Sequence, residues 1–206
     1  MNFVFLDTET GGLDPRFHAL TSLGGVAFRI EGGKIAPLQG KFPSIDLAIA
    51  PAPELAICSK ALRVQGLTWT DLDSEDRLEE HFQMAAFLDW LECMPKPFVA
   101  VAHNAPFDRG LIEAAAIRAF GKVPESITSL SWQCTRTMAS KIHDGGKMPK
   151  PGGDGGKIKP GFSLDALCLH FGISLDCRKD GHGALVDAKL GARVLEKLLA
   201  LEGGSG

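Results

Sequence analysis

The 206-residue chain has no apolar run long enough to cross a membrane, and no basic stretch followed by a long apolar one at its N-terminus. A membrane helix needs about 18 consecutive apolar residues, and a secretory signal needs the basic and the apolar region together. These absences favour a soluble protein and predict a cytoplasmic location. The length fits one domain, which we place at residues 1–202 and expect to be followed by a flexible tail at 203–206.

Cysteine is scarce and unpaired in the sequence. There are five cysteines, and no two of them form a CxxC pair: Cys58, Cys93, Cys134, Cys168 and Cys177. An odd, scattered set argues against a disulfide framework and against a structural zinc site. Buried thiols are the simpler interpretation.

The chain also lacks an overall positive charge. A net charge of −3 and a pI near 6.1 argue against a protein that coats nucleic acid with a broad basic face. Residues 136–159 nevertheless carry six cations against two anions, and residues 145–161 include seven glycines and three prolines. That composition predicts a mobile surface loop, which either contacts a phosphate chain or is simply kept solvated by its lysines.

The remaining sequence alternates strand and helix patterns. Short apolar runs at 2–6 and 98–103 predict buried strands, and residues 22–30 and 35–42 predict a hairpin around the turn EGGK. Four helices are predicted, from about Ser74 to Cys93, at 106–120, at 162–172 and at 184–201. Alternation of this kind predicts an α/β fold.

Two carboxylates, Asp7 and Glu9, stand one residue apart where the first strand ends, in FLDTE. Side chains at i and i+2 of a strand lie on the same face, so the two charges would share a site if the strand continues through them. Hard oxygen ligands at close quarters are what Mg²⁺ or Mn²⁺ requires. The alternative is a pair of solvated acids, since such a short pattern occurs often by chance.

Two further acids each begin an apolar helix stripe. Asp108 precedes Leu111, Ile112 and Ala115 at helical spacing, and Asp187 stands in the same relation to the apolar residues of the last helix. A carboxylate directed toward the core needs a partner or a metal ion. Favourable interaction with the helix dipole is the rival explanation.

His182 lies between two glycines, five residues before Asp187. A lone histidine is usually structural or solvated. Beside clustered acids it is a candidate general base, because imidazole takes up a proton near neutral pH.

The segments FLDTETGGLDP, VAHNAPFDRGL, SLDALCLHFGI and HGALVDAKLGARV resemble the DEDDh, or DnaQ-like, 3′→5′ exonucleases, and among them most the proofreading epsilon subunits of bacterial DNA polymerase III. The resemblance runs from residue 3 to about residue 200. It implies a ribonuclease H-like fold, a mixed five-stranded sheet flanked by helices.

The resemblance also implies roles for particular residues. Asp7, Glu9, Asp108 and Asp187 would hold two divalent cations, Mg²⁺ or Mn²⁺, and His182 would deprotonate the attacking water. Backbone at Thr8 and Thr10 and the side chain of Leu13 would seat the terminal nucleotide, with Asn104 and Phe107 nearby. The alternative for Phe107 is a core position, and for Asn104 a helix cap.

Some features depart from the family. Ser22 stands where many relatives have Glu, Gly11 replaces a common Thr, and the loop at 145–161 is longer than usual. Only 19 residues follow Asp187, which makes a polymerase partner of the epsilon type less expected.

Three functions follow in order of preference. The first is a metal-dependent exonuclease at single-stranded or frayed 3′ ends of DNA that releases 5′-mononucleotides. The second is an RNA 3′-end trimming exonuclease resembling ribonuclease T, and the third is a non-catalytic nucleic-acid-binding module.

Overall fold

A computed structural model describes residues 1–38, 43–179 and 181–203. It contains seven strands: β1 (Asn2–Thr10), β2 (Leu20–Glu31), β3 (Lys34–Pro37), β4 (Ser44–Ala50), β5 (Leu78–Glu79), β6 (Phe98–Ala102) and β7 (Trp132–Cys134). The α-helices are α1 (Ser59–Gln65), α2 (Trp69–Leu72), α3 (Glu80–Glu92), α4 (Ala105–Phe120), α5 (Glu125–Thr128), α6 (Thr135–Asp144), α7 (Leu164–His170) and α8 (Ala184–Gly203). A 3₁₀ turn spans Asp176–Arg178.

One mixed sheet contains all the described strands. Its order is β5-β4-β2-β1-β6-β7, and β3 pairs with β2. β1 is antiparallel to β2 and parallel to β6, so the carboxyl ends of β1 and β6 meet at one edge. The mixed α/β architecture is confirmed. The sheet has seven described strands, whereas the resemblance implied five. Of these, β5 and β7 have only two and three residues, too few to show a period in the sequence.

The central strand β1 is covered on both faces. Val4 and Leu6 lie in one core cluster with Leu111 and Ile112 of α4. Phe3 and Phe5 lie in another, with residues of α8. Since side chains alternate along a strand, β1 presents one row to α4 and the other to α8. Both helices that carry a predicted catalytic acid are thereby packed against β1.

Most of the predicted elements are present. The hairpin is confirmed in β2 and β3, although residues 39–42 of its predicted second strand lie outside the described residues. The helices at 106–120 and 184–201 are α4 and α8, which include the predicted spans. The helix predicted at 162–172 is shorter, Leu164–His170. Gly203, from the predicted tail, ends α8, and 204–206 lie outside the described residues.

Two predictions are corrected by the structure. The helix expected from about Ser74 begins at Glu80, because the residues before it form a turn and pair as β5 with β4. The loop at 145–161 has no helix or strand, as predicted, but it is not wholly a surface loop. Met148 is buried in the cluster between α6, α7 and α8 and anchors the loop there.

A glycine allows α8 to approach the sheet closely. A β-carbon on Gly24 of β2 would collide with the backbone of Ala184 and Leu185 at the start of α8. Gly24 is the cross-strand partner of Asp7. The missing side chain therefore brings the first turn of α8, with Asp187, next to the end of β1.

We expect Gly24→Ala to lower the free energy of unfolding by about 2 kcal/mol or more, because helix backbone cannot yield to an added methyl group as a flexible side chain can. Urea denaturation measures the change. The matched control is Gly152→Ala in an exposed loop, where a β-carbon meets nothing within 4 Å. The control should change stability by less than about 0.5 kcal/mol, and equal effects of the two substitutions would contradict the close approach.

Candidate active site

Asp7 and Glu9 lie on the last residues of β1, which continues through both of them as the sequence predicted. Their pairing partners in β2 are Gly24 and Ser22. The two side chains point to the α8 face of the sheet. Asp187 begins its helix on the same face, and its charge adds to burial, the larger cause, in raising the pKa values of Asp7 and Glu9.

Asp108 reaches the same place from the other face. It lies in the first turn of α4, is 4% exposed, and accepts hydrogen bonds from the Thr8 N–H (3.1 Å) and the Thr8 hydroxyl (2.8 Å). Thr8 is buried, and its two donors face Asp108. Thr8 thus holds a carboxylate in position, and its contact with substrate stays a prediction.

The carboxylate of Asp187 contacts two side chains, those of Arg178 and His182. Arg178 donates from Nε to Asp187 Oδ1 at 2.6 Å, and its Nη2 lies 2.6 Å from Asp187 Oδ2. His182 Nδ1 lies 3.1 Å from the same Oδ2. The sequence analysis did not identify Arg178. The available signal was a single arginine in the short segment between α7 and the histidine.

Burial and mutual repulsion make this cluster costly to ionise. The pKa of Asp7 lies well above its usual range, because of burial first and then the charges of Asp108, Asp187 and Glu9. Burial, followed by the charge of Asp187, raises the pKa of Glu9 to about 7. Burial likewise raises the pKa of Asp108 to about 7, against the hydrogen bonds from Thr8. A cation bound among them would reverse these shifts.

The donor set suits a hard divalent cation. Glu9, His182 and Asp187 each offer a ligand atom, and these atoms lie within 4.8 Å of one another. Carboxylate oxygens are the ligands that Mg²⁺ and Mn²⁺ prefer. The residues present therefore fit the metal that the fold family implies.

A cleft of about 490 Å³ opens beside Glu9. Its lining includes Thr10 and Leu13 from the predicted substrate residues, and His18, Cys58 and Val64, which the sequence analysis did not identify. Leu13 is 83% exposed at its rim. The volume is in the range of small-ligand sites, and a nucleotide would fit.

The other two predicted substrate residues stand apart from the lining of this cleft. Asn104 is at the N-cap position of α4, yet its side chain makes no capping hydrogen bond, and it is exposed. Phe107 is partly buried and packs against the core cluster of α4 and β1, as in the alternative given for it. Their contacts with substrate stay predictions.

His103 forms hydrogen bonds to two neighbouring segments near the site. Its Nδ1 lies 3.0 Å from the Thr135 hydroxyl, and its Nε2 lies 3.0 Å from the Phe162 carbonyl. Burial lowers the pKa of His103 to about 4, so the ring is neutral at physiological pH. It links β6, α6 and the segment that precedes α7.

The fold and site define a class: an α/β domain with four carboxylates and a histidine at the end of its central strand. The sequence profile of the exonuclease family matches residues 4–195, and the chain belongs to that family. This confirms the family resemblance found in the sequence.

Individual relatives agree with the assignment. The chain is 34% identical over 106 residues to the PolC-type DNA polymerase III of Thermotoga maritima, covering 52% of this chain and 7% of that one. It is 28% identical over 200 residues to the DNA polymerase III epsilon subunit of Rickettsia conorii, covering 95% and 73%.

Among solved structures, the fold is similar to E. coli exonuclease I in complex with a dT13 oligonucleotide. The TM-score is 0.71 at 19% identity, over 97% of this chain and 40% of that one. At this identity the likeness shows the fold alone. The chain thus spans a small part of the PolC-type relative and two fifths of exonuclease I.

Among the described residues, no helix is both long and apolar enough to cross a membrane.

Because the folded pKa of Glu9, about 7, exceeds an unfolded value of about 4.3, the metal-free folded protein keeps a proton there that the unfolded chain loses. This contribution to stability is full below about pH 4 and is lost as the pH rises toward 7. We expect Glu9→Gln to gain about 3 kcal/mol relative to the wild type between about pH 4.5 and pH 8. Urea denaturation in EDTA measures the gain.

The matched control for Glu9 is Glu92→Gln, an exposed glutamate at the end of α3. Its stability relative to the wild type should change far less over the same pH range. A pH-dependent gain of equal size in both variants would contradict burial as the cause.

Proposed function

We propose that the domain at residues 1–202 is a divalent-metal-dependent 3′→5′ exonuclease that hydrolyses phosphodiester bonds at single-stranded or frayed 3′ ends of DNA and releases 5′-mononucleotides. One observation carries the proposal: the carboxylates of β1, α4 and α8 and the ring of His182 converge at one end of β1. Membership of the exonuclease family supports the reaction class. The oligonucleotide bound to the structurally similar E. coli enzyme supports a DNA substrate.

In this proposal Asp7, Glu9, Asp108 and Asp187 hold two ions, Mg²⁺ or Mn²⁺. Two such ions supply Lewis-acid stabilisation of the entering and leaving oxygens of an in-line hydrolysis. The cluster is suited to cations because its carboxylates repel one another and are largely buried from water. When bound, the ions would also attract the phosphates of a nucleic acid to a chain whose net charge is −3.

His182 takes the proton of the attacking water. We assign the ring hydrogen to Nδ1, which lies 3.1 Å from Asp187 Oδ2, and this leaves Nε2 as the acceptor. The Asp187 carboxylate then stabilises the imidazolium that forms. The ring is about one-third exposed, so water reaches it.

The cleft beside Glu9 would seat the terminal nucleotide. Thr10 and the exposed side chain of Leu13 lie on its lining, together with the apolar side chain of Val64. Apolar surface of this kind accepts a base face without reading its sequence. The 3′ terminal phosphodiester would then lie against the carboxylates.

The defining test is a 3′-end assay with 5′-labelled single-stranded DNA, duplex DNA and RNA, in Mg²⁺ or Mn²⁺. We expect stepwise shortening of single-stranded DNA with release of mononucleotides, and slower cleavage of RNA. No shortening of any substrate, or shortening that survives both EDTA and Asp7→Ala, would overturn the proposal. Faster cleavage of RNA would replace DNA by RNA as the substrate.

Replacing His182 by Ala should lower kcat about 10²- to 10⁴-fold, because a general base is lost while the carboxylates remain. The affinity for a single-stranded oligonucleotide, measured by fluorescence anisotropy, should stay within about threefold of the wild type. His81→Ala, on the exposed face of α3, is the matched control and should keep wild-type kcat. Full activity in the His182 variant would exclude its role as the base.

Saturating Mn²⁺ should raise the melting temperature of the wild type, since a ligand that binds only the folded state adds about 2.7 kcal/mol at a hundredfold excess over Kd. Asp108→Asn should lose most of this increase, and EDTA should reverse it. Differential scanning calorimetry measures both effects. Asp89→Asn, an exposed acid on α3, should keep the full increase; equal losses in the two variants would argue against a site at Asp108.

The predicted cytoplasmic location and the absence of an epsilon-type polymerase contact stay predictions. They affect where the nuclease acts, and the chemistry of its site is the same in either case.

A further inference from the structure

Arg178 is a buried cation within the carboxylate cluster. It ends the 3₁₀ turn that follows α7, and its side chain is 7% exposed. Its Nε and Nη2 each lie 2.6 Å from an oxygen of Asp187, and its Nη1 forms an ion pair with Asp165. A guanidinium therefore bridges two helices, α7 and α8, through one acid on each.

This contact occupies most of the acceptor capacity of Asp187. A carboxylate has about four lone-pair sites. Two of them face the Arg178 fork, and a third faces His182 Nδ1 at 3.1 Å. A divalent cation approaching Asp187 thus meets both a nearly saturated ligand and a full positive charge.

Asp165 offers Arg178 a second place to bind. It lies in the first turn of α7, and its side chain is 32% exposed, against 7% for that of Asp187. A guanidinium has five N–H donors in a rigid fork, so it can lose one carboxylate and keep another. An arginine that left Asp187 would still be paired.

We propose that Arg178 is an internal counter-ion that competes with the divalent metal for Asp187, and that Asp165 retains its guanidinium when the metal binds. The inference rests on the proposed function, in which Asp187 is a metal ligand. Arg178 is a positioning residue here, since it contacts a ligand of the ion and not the substrate. It stabilises the metal-free cluster at the expense of metal affinity.

The competition has a physical basis in the charge balance of the site. Without metal, four acids share a partly dry space, and the nearby positive charge of Arg178 offsets part of their repulsion. With metal, the ions supply that positive charge, and the arginine becomes a like charge beside them. Removing Arg178 should therefore destabilise the metal-free protein and stabilise the metal-bound protein.

The test is Mn²⁺ binding to the full chain by isothermal titration calorimetry, with Arg178→Gln and Arg178→Lys. We expect Arg178→Gln to lower the Kd about tenfold, because it removes both a competing ligand contact and a repulsive charge. Arg178→Lys keeps the charge but cannot bridge both oxygens, so its Kd should fall by a smaller factor, about threefold. Urea denaturation in EDTA should show both variants to be less stable than the wild type without metal.

Arg193→Gln is the matched control. Arg193 is exposed on α8, six residues after Asp187, so the substitution removes one charge from the same helix without touching the ligand. Its Kd should stay within about twofold of the wild type.

The outcomes separate this inference from the proposed function. If the wild type binds Mn²⁺ and Arg178→Gln binds it equally or more weakly, the competition is overturned and the proposed nuclease stands. If the wild type binds no Mn²⁺, both are overturned. Should Arg178→Gln fail to fold, Arg178→Lys decides alone, and a Kd at or above the wild-type value would overturn the inference.

Discussion

Mutual repulsion among carboxylates at the end of β1 is the constraint on which the site depends. Three elements bring acids there, and each acid leaves water to do so. The pKa values of Asp7, Glu9 and Asp108 are raised for this reason, by burial before any neighbouring charge. Such a cluster is relieved either by proton uptake or by cations that offset its charge. Arg178 is one such cation in the protein itself, and bound metal would be another.

The fold supplies the rigidity that holds these charges together. β1 is the central strand, covered by α4 on one face and α8 on the other, and each helix begins beside its carboxyl end. Gly24 lets α8 pack directly on the sheet at the height of Asp7. Thr8 fixes Asp108 with two hydrogen bonds. Packing thus determines the distances between the acids to a degree that flexible loops could not.

Much of this arrangement could be predicted because it follows from local spacing. The i, i+2 relation of Asp7 and Glu9 and the apolar stripes after Asp108 and Asp187 are properties of single elements. The glycines beside His182 likewise indicated a turn. Errors came where short elements depend on partners: β5 exists only because it pairs with β4, and Met148 is buried only because three helices surround it.

Arg178 shows the limit of reading the chain in order. Nothing in its neighbourhood distinguishes it from the exposed Lys179 that follows it. Its role arises because α7 and α8 place Asp165 and Asp187 on either side of one guanidinium. The cleft beside Glu9 could not be read from local sequence either, because its lining residues Cys58 and Val64 come from a segment with no catalytic motif.

By itself, the sequence determined the α/β class through local periodicity and the exonuclease family through the resemblance of its motifs. The catalytic roles of Asp7, Glu9, Asp108, His182 and Asp187 stay predictions from the same motifs. Only the tertiary structure decided which groups surround these residues. Thr8 forms hydrogen bonds to Asp108, Arg178 forms them to Asp187, and an apolar cleft lies beside Glu9. Electrostatic energies depend on distance and burial. Both are set by packing between segments far apart in the chain, and no local pattern encodes them.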